Sequence, residues 1–387
     1  MAAKPVPETS STFPINQPAR LRRIELYGFK SIRKLEMDCE NLTVLIGANG
    51  AGKSNLISFF RMLSWAMSKS LQQYILQKEG GANSLLWEGS NHTQQIKACL
   101  KFESKKGNNE YDFHLAHAAN DTLIYTTERF RFSDAKYQNP ARWVDFTPGS
   151  SEAQITDANK FTSNQQITAN TIKSFLKSCN VFQFHDTSQT ARMRGRWGVE
   201  DGFYLKEDGA NIAAFLYYQR QNNPPAYRRI LDTILMILPF LDDFEFQPEN
   251  HNIMLRWRER GSDMVFAAHQ ASDGMLRAIA LCALLLQPEG DLPGIIILDE
   301  PELGLHPKAL EIIAGLIQSA ACNRQIILAT QSATLVDFFN PEDVCVVERP
   351  NRESTFRRLS SETLREWLDD YSLGQLWGKN VTGGNPF

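Results

Sequence analysis

One eight-residue stretch constrains this chain more than any other: Gly47-Ala48-Asn49-Gly50-Ala51-Gly52-Lys53-Ser54. It fits the pattern G-x-x-x-x-G-K-[ST], and its flanks are those the pattern requires. Before it, Leu42-Thr43-Val44-Leu45-Ile46 is a short, mostly apolar run, as expected for a strand buried on both faces. After it, from Lys53 on, Leu56, Phe59, Phe60, Leu63 and Met67 fall at helical spacing. A strand, a glycine-rich turn and a helix therefore follow one another. In that setting the glycines let the backbone wrap phosphates without Cβ clashes. Successive backbone N–H groups point into one concavity, and the helix start adds its positive end. Gly47, Asn49, Gly50, Ala51, Gly52, Lys53 and Ser54 are thus the expected nucleotide-binding residues, with Lys53 reaching the β- and γ-phosphates and the Ser54 hydroxyl ligating Mg²⁺. The competing reading is a glycine-rich strand–helix turn that binds nothing; the strand and helix on its two sides are the context the phosphate-binding pattern requires.

The last third of the chain repeats the pattern. Ile295-Ile296-Ile297-Leu298 reads as a buried strand, residues 307–319 as a helix with Pro307 at its start, and Gln325-Ile326-Ile327-Leu328-Ala329 as another strand. A strand–helix–strand unit makes a parallel sheet the simplest arrangement, so the expected fold class is α/β. Asp299-Glu300-Pro301 puts two carboxylates at the C-terminal end of the first of these strands, the edge where open parallel sheets bind ligands. Asp299 is the expected Mg²⁺ residue, and Glu300 the general base that polarises an attacking water.

Between these halves, residues 94–133 alternate like a β-hairpin broken at Gly107-Asn108-Asn109. Residues 134–170 are polar and turn-rich and read as a flexible insertion. Helical patterns return over 210–219 and 227–238, and residues 1–19, rich in Pro, Ser and Thr, read as a mobile tail. The expected divisions are 1–19 (tail), 20–93 (first part of the core), 94–180 (β-rich subdomain with the insertion), 181–265 (helical, basic lobe) and 266–387 (second part of the core).

A formal net charge of −3 gives no global basic field to attract nucleic acid or an anionic membrane. The longest apolar run, residues 278–286, falls short of the roughly 18–20 residues a membrane helix needs, and no signal-peptide pattern opens the chain. A soluble, cytoplasmic protein without a membrane partner is expected. The six cysteines, Cys39, Cys99, Cys179, Cys282, Cys322 and Cys345, lack zinc-site spacing and read as buried free thiols.

Three more stretches complete a set. Ala271-Ser272-Asp273-Gly274-Met275-Leu276-Arg277 resembles the signature motif of ATP-binding-cassette ATPases in an S-D-G form. Glu302-Leu303-Gly304-Leu305-His306-Pro307 stands where such proteins carry the D-loop, and Ala329-Thr330-Gln331-Ser332 where they carry the switch residue. More than 200 residues separate Ser54 from Ala271 without sustained heptads, which argues against chromosome-maintenance coiled-coil arms. The chain is similar instead to RecF-like and overcoming-lysogenization-defect-type ATPases. Leu205-Lys206-Glu207-Asp208-Gly209-Ala210-Asn211-Ile212 and Asp370-Tyr371-Ser372-Leu373-Gly374-Gln375-Leu376-Trp377 look like stretches of bacterial stand-alone AAA-type ATP-binding proteins.

The resemblance implies an ATPase head that binds ATP and Mg²⁺ and dimerises head-to-tail, or forms a higher homo-oligomer, with Ser272 and Gly274 acting on the nucleotide of the other subunit. It implies catalytic roles for Glu300 and Gln331. Two departures matter. Gln331 replaces the more familiar histidine and cannot carry a positive charge, so slow turnover is expected. The Q-loop residue is not obvious: Gln183, in Phe182-Gln183-Phe184-His185-Asp186, is the candidate, with an ordinary strand residue the equal alternative.

Some 55 residues follow Ser332 and lack the spaced acidic motifs of a Toprim nuclease, so an effector is expected on a separate chain encoded nearby, in anti-phage defence by resemblance. A RecF-like DNA-repair clamp and a nucleotide-stabilised scaffold with little hydrolysis remain open. For nucleic acid, Arg256, Arg258 and Arg260 beside Trp257, and Arg192, Arg194 and Arg196 near Trp197, have the period-two spacing that would put arginines on one strand face. A solvated face balanced by acids is the other reading. Among the histidines, His114 and His117 have an odd spacing that opposes them across a strand, and His185 reads as structural.

Overall fold

The computed structural model of the protein describes residues 19–104, 106–134, 141–157 and 161–385. The tail expected over 1–19 lies outside these apart from Ala19, as do parts of the stretch from 134 to 170. Two six-stranded sheets organise the described residues. The first is antiparallel throughout, in the order β2-β1-β4-β5-β6-β7, from β1 (Arg20–Phe29), β2 (Ile32–Asp38), β4 (Gln95–Ser104), β5 (Gly107–Ala118), β6 (Thr122–Asp134) and β7 (Val144–Asp145). The expected hairpin is therefore part of a meander, and the strands before the phosphate loop close one side of it.

The second sheet has the order β17-β16-β3-β15-β14-β8, built from β3 (Leu42–Ile46), β8 (Cys179–Phe182), β14 (Ile295–Asp299), β15 (Gln325–Thr330), β16 (Val344–Glu348) and β17 (Thr355–Arg358). Its five strands from β16 to β8 are parallel, and only β17 runs antiparallel. The apolar runs of β3, β14 and β15 are explained by burial on both faces. Val44, Ile46, Ile296, Leu298, Ile326 and Leu328 face one core, with the helices of the second half. Leu45, Ile295, Ile297 and Ile327 face the other, shared with the antiparallel sheet. Burying one such side chain stabilises the fold by about 1.5–3 kcal/mol, and an uninterrupted apolar strand gains this on both sides.

Helix α1 (Lys53–Ala66) lies in the second core, where Phe29 meets Phe59 edge-on at 5.6 Å. It leads into the short α2 (Leu71–Tyr74). Helix α3 (Ser163–Lys177) corrects the reading of 134–170 as a flexible insertion in its last part. Thr162 and Gln165 form a capping box, and Thr168, Ala169, Ile172, Phe175 and Leu176 are buried. The polar composition belongs to the solvent face of an amphipathic helix.

The middle lobe carries α4 (Ile212–Asn222), α5 (Pro224–Ile237), a small sheet of β10 (Leu241–Phe244), β12 (Arg256–Glu259) and β13 (Val265–Ala267), and a ribbon pairing β9 (Trp197–Gly198) with β11 (Asn252–Ile253). The second half continues through α6 (Asp273–Leu285), α7 (Pro307–Ala321), α8 (Ala333–Val336), α9 (Ser361–Leu368) and α10 (Leu373–Gly378). Among the described residues no helix is long and apolar enough to cross a membrane. Cys39, Cys179, Cys282 and Cys345 are buried free thiols, whereas Cys99 is half-buried and Cys322 is exposed. Burial pushes the Cys39 thiol up to about 12.

Candidate active site

The register of the parallel sheet decides which residues meet. Ile46 pairs with Thr330 on one side and Val346 on the other, Asp299 with Ala329, and Leu298 with Phe182. The phosphate loop, Asp299-Glu300, Gln331 and Gln183 therefore emerge side by side at the C-terminal edge.

The loop from Gly47 to Gly52 joins β3 to α1. Gly52 has φ +117°, in the left-handed region that glycine tolerates, and a Cβ there would lie 2.1 Å from the Ser354 hydroxyl. The buried Lys53 ammonium donates to the carbonyls of Gly47 at 2.6 Å and Ala48 at 3.1 Å. Burial lowers its pKa, and Glu300, Asp299 and Glu302 oppose that shift. The lysine is thus held inside the loop by two of the loop's own carbonyls, and three carboxylates favour its charge. Asn49, Gly50 and Ser54 are exposed, Ala48 is half-buried, and Gly47, Ala51 and Gly52 are buried.

Asp299 is nearly buried, and burial raises its pKa, partly offset by a hydrogen bond from Gln183. That bond runs from Gln183 Nε2 to Asp299 Oδ2 at 2.6 Å, and Arg61 Nη2 donates to Gln183 Oε1 at 2.9 Å. Of the two readings left open for Gln183, the geometry is that of a residue reaching the acidic strand end. His185 Nε2 is 2.9 Å from the Asp299 carbonyl oxygen, a satisfied structural contact. A carboxylate stripped of water in this way, 116 residues in sequence from its glutamine partner, is a fitting cation ligand.

Glu300 has φ +44°, a left-handed conformation rare for a side chain of its size, fixed by its amide donating to the Ala329 carbonyl at 2.8 Å. Gln331 Nε2 donates to Glu300 Oε1. Glu302 supports the pair: its Oε1 accepts from the Thr330 hydroxyl at 2.6 Å and the Gln331 amide at 3.0 Å. Burial raises the Glu302 pKa, and its Oε2 is buried with no hydrogen-bond partner among the described residues. Read in sequence as the start of the D-loop, Glu302 also positions the switch backbone.

Ser272 caps α6, its hydroxyl accepting from the Met275 amide at 3.2 Å, and is exposed. Gly274 lies against the D-loop, since a Cβ there would come 2.3 Å from the Gly304 carbonyl oxygen. Arg277 binds the signature to its surroundings. Its guanidinium donates to the carbonyls of Phe184 (3.0 Å), Leu303 (3.0 Å) and His185 (2.9 Å) and to the Thr187 hydroxyl (3.1 Å). Arg277 stands within the signature, but neither this bracing role nor that of Arg61 shows in the sequence, because both depend on contacts far apart in the chain.

The arginine clusters fare differently from a phosphate-tracking face. Arg194 is buried and donates to the carbonyls of Thr187, Ser188, Ala268 and Ala271, so it is structural. Arg192 pairs with Asp208, Arg196 and Arg256 with Glu249, and Arg258 with Glu245. Trp257 is buried, and Trp197 is covered by Arg192 and Lys206. Four of the six arginines are thus balanced by acids and Arg194 is buried, while Arg260 is exposed. Among the described residues no cluster of His, Cys, Asp and Glu could hold a metal by itself, His114 and His117 included.

A family model described as "AAA domain, putative AbiEii toxin, Type IV TA system" matches residues 42–337. The chain belongs to this family. The matched span runs from β3 past α8, so the phosphate loop, signature, acidic strand end, D-loop and switch lie within it, whereas the stretch from Asp370 to Trp377 lies beyond it. Among solved structures, the chain is similar to an SmcHead bound to the C-winged helix domain of ScpA, with TM-score 0.56 and 14% identity, covering 90% of this chain and 99% of that one. It is also similar to an Smc head domain with an extended coiled coil bound to the C-terminal domain of ScpA, derived from Pyrococcus furiosus, with TM-score 0.52 and 14% identity, covering 91% and 99%. At that identity the likeness establishes the fold, which is that of an ATP-binding-cassette-type ATPase head. A search of the curated proteins finds no match.

Proposed function

We propose that the protein is an ATP-hydrolysing switch that pairs head-to-tail around ATP and Mg²⁺ and gates a separate effector. The observation that carries the nucleotide reading is the convergence at one sheet edge of Lys53, Asp299, Glu300, Gln331 and Gln183. Lys53, with the backbone from Gly47 to Ser54, would bind the phosphates. Ser54 and Asp299 would hold Mg²⁺, which when bound neutralises charge on the phosphate oxygens. Glu300 takes the proton of the attacking water, and Gln331 holds the Glu300 carboxylate in place through its side-chain amide. A neutral amide in that position adds no positive charge, which supports slow turnover.

Ser272 and Gly274, on a surface shared with the D-loop, are assigned to the nucleotide held by the other subunit. The family description names a toxin–antitoxin system, an arrangement of two components, and both similar Smc heads are described with a ScpA domain bound. These favour a separate partner over a chain acting alone, while the cytoplasm and anti-phage defence rest on the resemblance of the motifs. The carboxylate-paired arginines weigh against a clamp acting on DNA.

The test is co-expression with the neighbouring genes, followed by mass measurement of the purified complex with ATP. A stable complex with a second polypeptide is the expected result. A lone dimer whose hydrolysis is stimulated by DNA would replace the gated effector with a DNA clamp.

A further inference from the structure

The residues that brace the phosphate loop come largely from beyond the switch. The Ala48 amide donates to the Gly384 carbonyl at 2.9 Å. The Ser354 hydroxyl donates to the Ala51 carbonyl at 2.6 Å, and a Cβ on Gly47 would lie 2.2 Å from the Val347 carbonyl oxygen. Gly384 is itself fixed. Its φ is +78°, its amide donates to Glu348 Oε1 at 2.8 Å, and a Cβ would come 2.6 Å from Val346 Cγ1.

The same run of chain continues to the switch side. Arg357 donates to the Thr382 carbonyl. Asn385 Nδ2 donates to the carbonyls of Trp377 at 3.1 Å and Gly378 at 3.0 Å, folding the turn back on α10. Helix α10 packs on α8, whose first residue is two positions after Gln331. The Gly374 amide donates to Asp337 Oδ1 at 2.6 Å, and a Cβ on Gly374 would lie 2.2 Å from the Ala333 carbonyl oxygen. Leu376 and Trp377 are buried in the core that holds Leu335 and Val336.

We propose that residues 372–385 are a clasp joining the switch helix α8 to the phosphate loop, so that the position of Gln331 and the conformation of the loop are set together. None of these residues is assigned contact with nucleotide; they are positioning residues. The loop's affinity depends on amides already aimed into one concavity, and a loop freed at Ala48 must be ordered on binding. By linkage, nucleotide that orders the loop must in turn order the clasp. The inference rests on the nucleotide-site reading above.

The test combines hydrogen exchange with titrations of the full chain. In the wild type, ATP with Mg²⁺ is expected to slow exchange over 47–54 and over 372–385 together. Gly384→Ala is expected to raise the Kd for ATP about tenfold or more. Asp337→Ala, which frees the clasp from α8, is expected to lower kcat about fivefold, to raise the Kd for ATP about threefold and to quicken exchange over 47–54 and 372–385 while other segments exchange as in the wild type, a pattern that general destabilisation does not produce. Should Gly384→Ala fail to fold, Glu348→Gln weakens the same anchor more gently and is expected to raise Kd about threefold. Protection confined to 47–54, with variants that bind and hydrolyse as the wild type does, overturns the clasp. A wild type that binds no ATP overturns the site reading itself, and the clasp with it.

Discussion

Glu300 holds a backbone conformation that costs a non-glycine residue on the order of 1–3 kcal/mol, and strain of this kind gathers at functional sites. Glu300→Gln keeps the shape and removes the carboxylate proposed as the base. It should bind ATP like the wild type and lower kcat by about 10²–10⁴-fold in a phosphate-release assay; hydrolysis at the wild-type rate would remove Glu300 from that role. A second prediction follows from burial. Asp299 and Glu302 are both held above the usual carboxylate range, so between the ordinary value near about 4 and the raised one the folded protein binds more protons than the unfolded chain. Stability should therefore fall as pH rises through that window. Glu302→Gln should flatten the slope in denaturant titrations without Mg²⁺, and an unchanged slope would show that Glu302 does not titrate there. Motif residues such as Lys53, Asp299 and Glu300 could be read from the sequence because their spacing is local. Arg61 could not, because its partner Gln183 is 122 residues away and the packing of α1 against β8 brings them together.

At the scale of elements, the parallel sheet was legible because β3, β14 and β15 are apolar without interruption, which only burial on both faces explains. Helix α3 was not, because a helix with one buried stripe and a polar remainder has the composition of a loop, and its capping box was the local signal passed over. The contact of α6 with the D-loop is a further case: nothing in Ser272-Asp273-Gly274 says that Gly274 must lie against Gly304. Gly274→Val should therefore push the signature away from the D-loop. ATP binding by the separate subunit should stay within about twofold, while hydrolysis falls at least about tenfold, read by calorimetry and phosphate release on the same preparation. Hydrolysis at the wild-type level would show that the close approach is incidental.

For the whole molecule, the proposed function requires one active site made by two subunits, with Lys53 and Glu300 from one and Ser272 from the other. Trans-complementation tests it most directly. Lys53→Ala and Ser272→Arg are each expected to be inactive alone, the first for want of phosphate binding and the second for want of a signature that can close on the partner. A mixed dimer of the two contains one site with both residues intact. The decisive measurement is the ATPase rate of the mixture after the subunits have exchanged. Activity restored well above the sum of the two separate variants is the result predicted here. A mixture no more active than its parts, in which exchange is shown by mass to have occurred, would contradict a site shared between subunits.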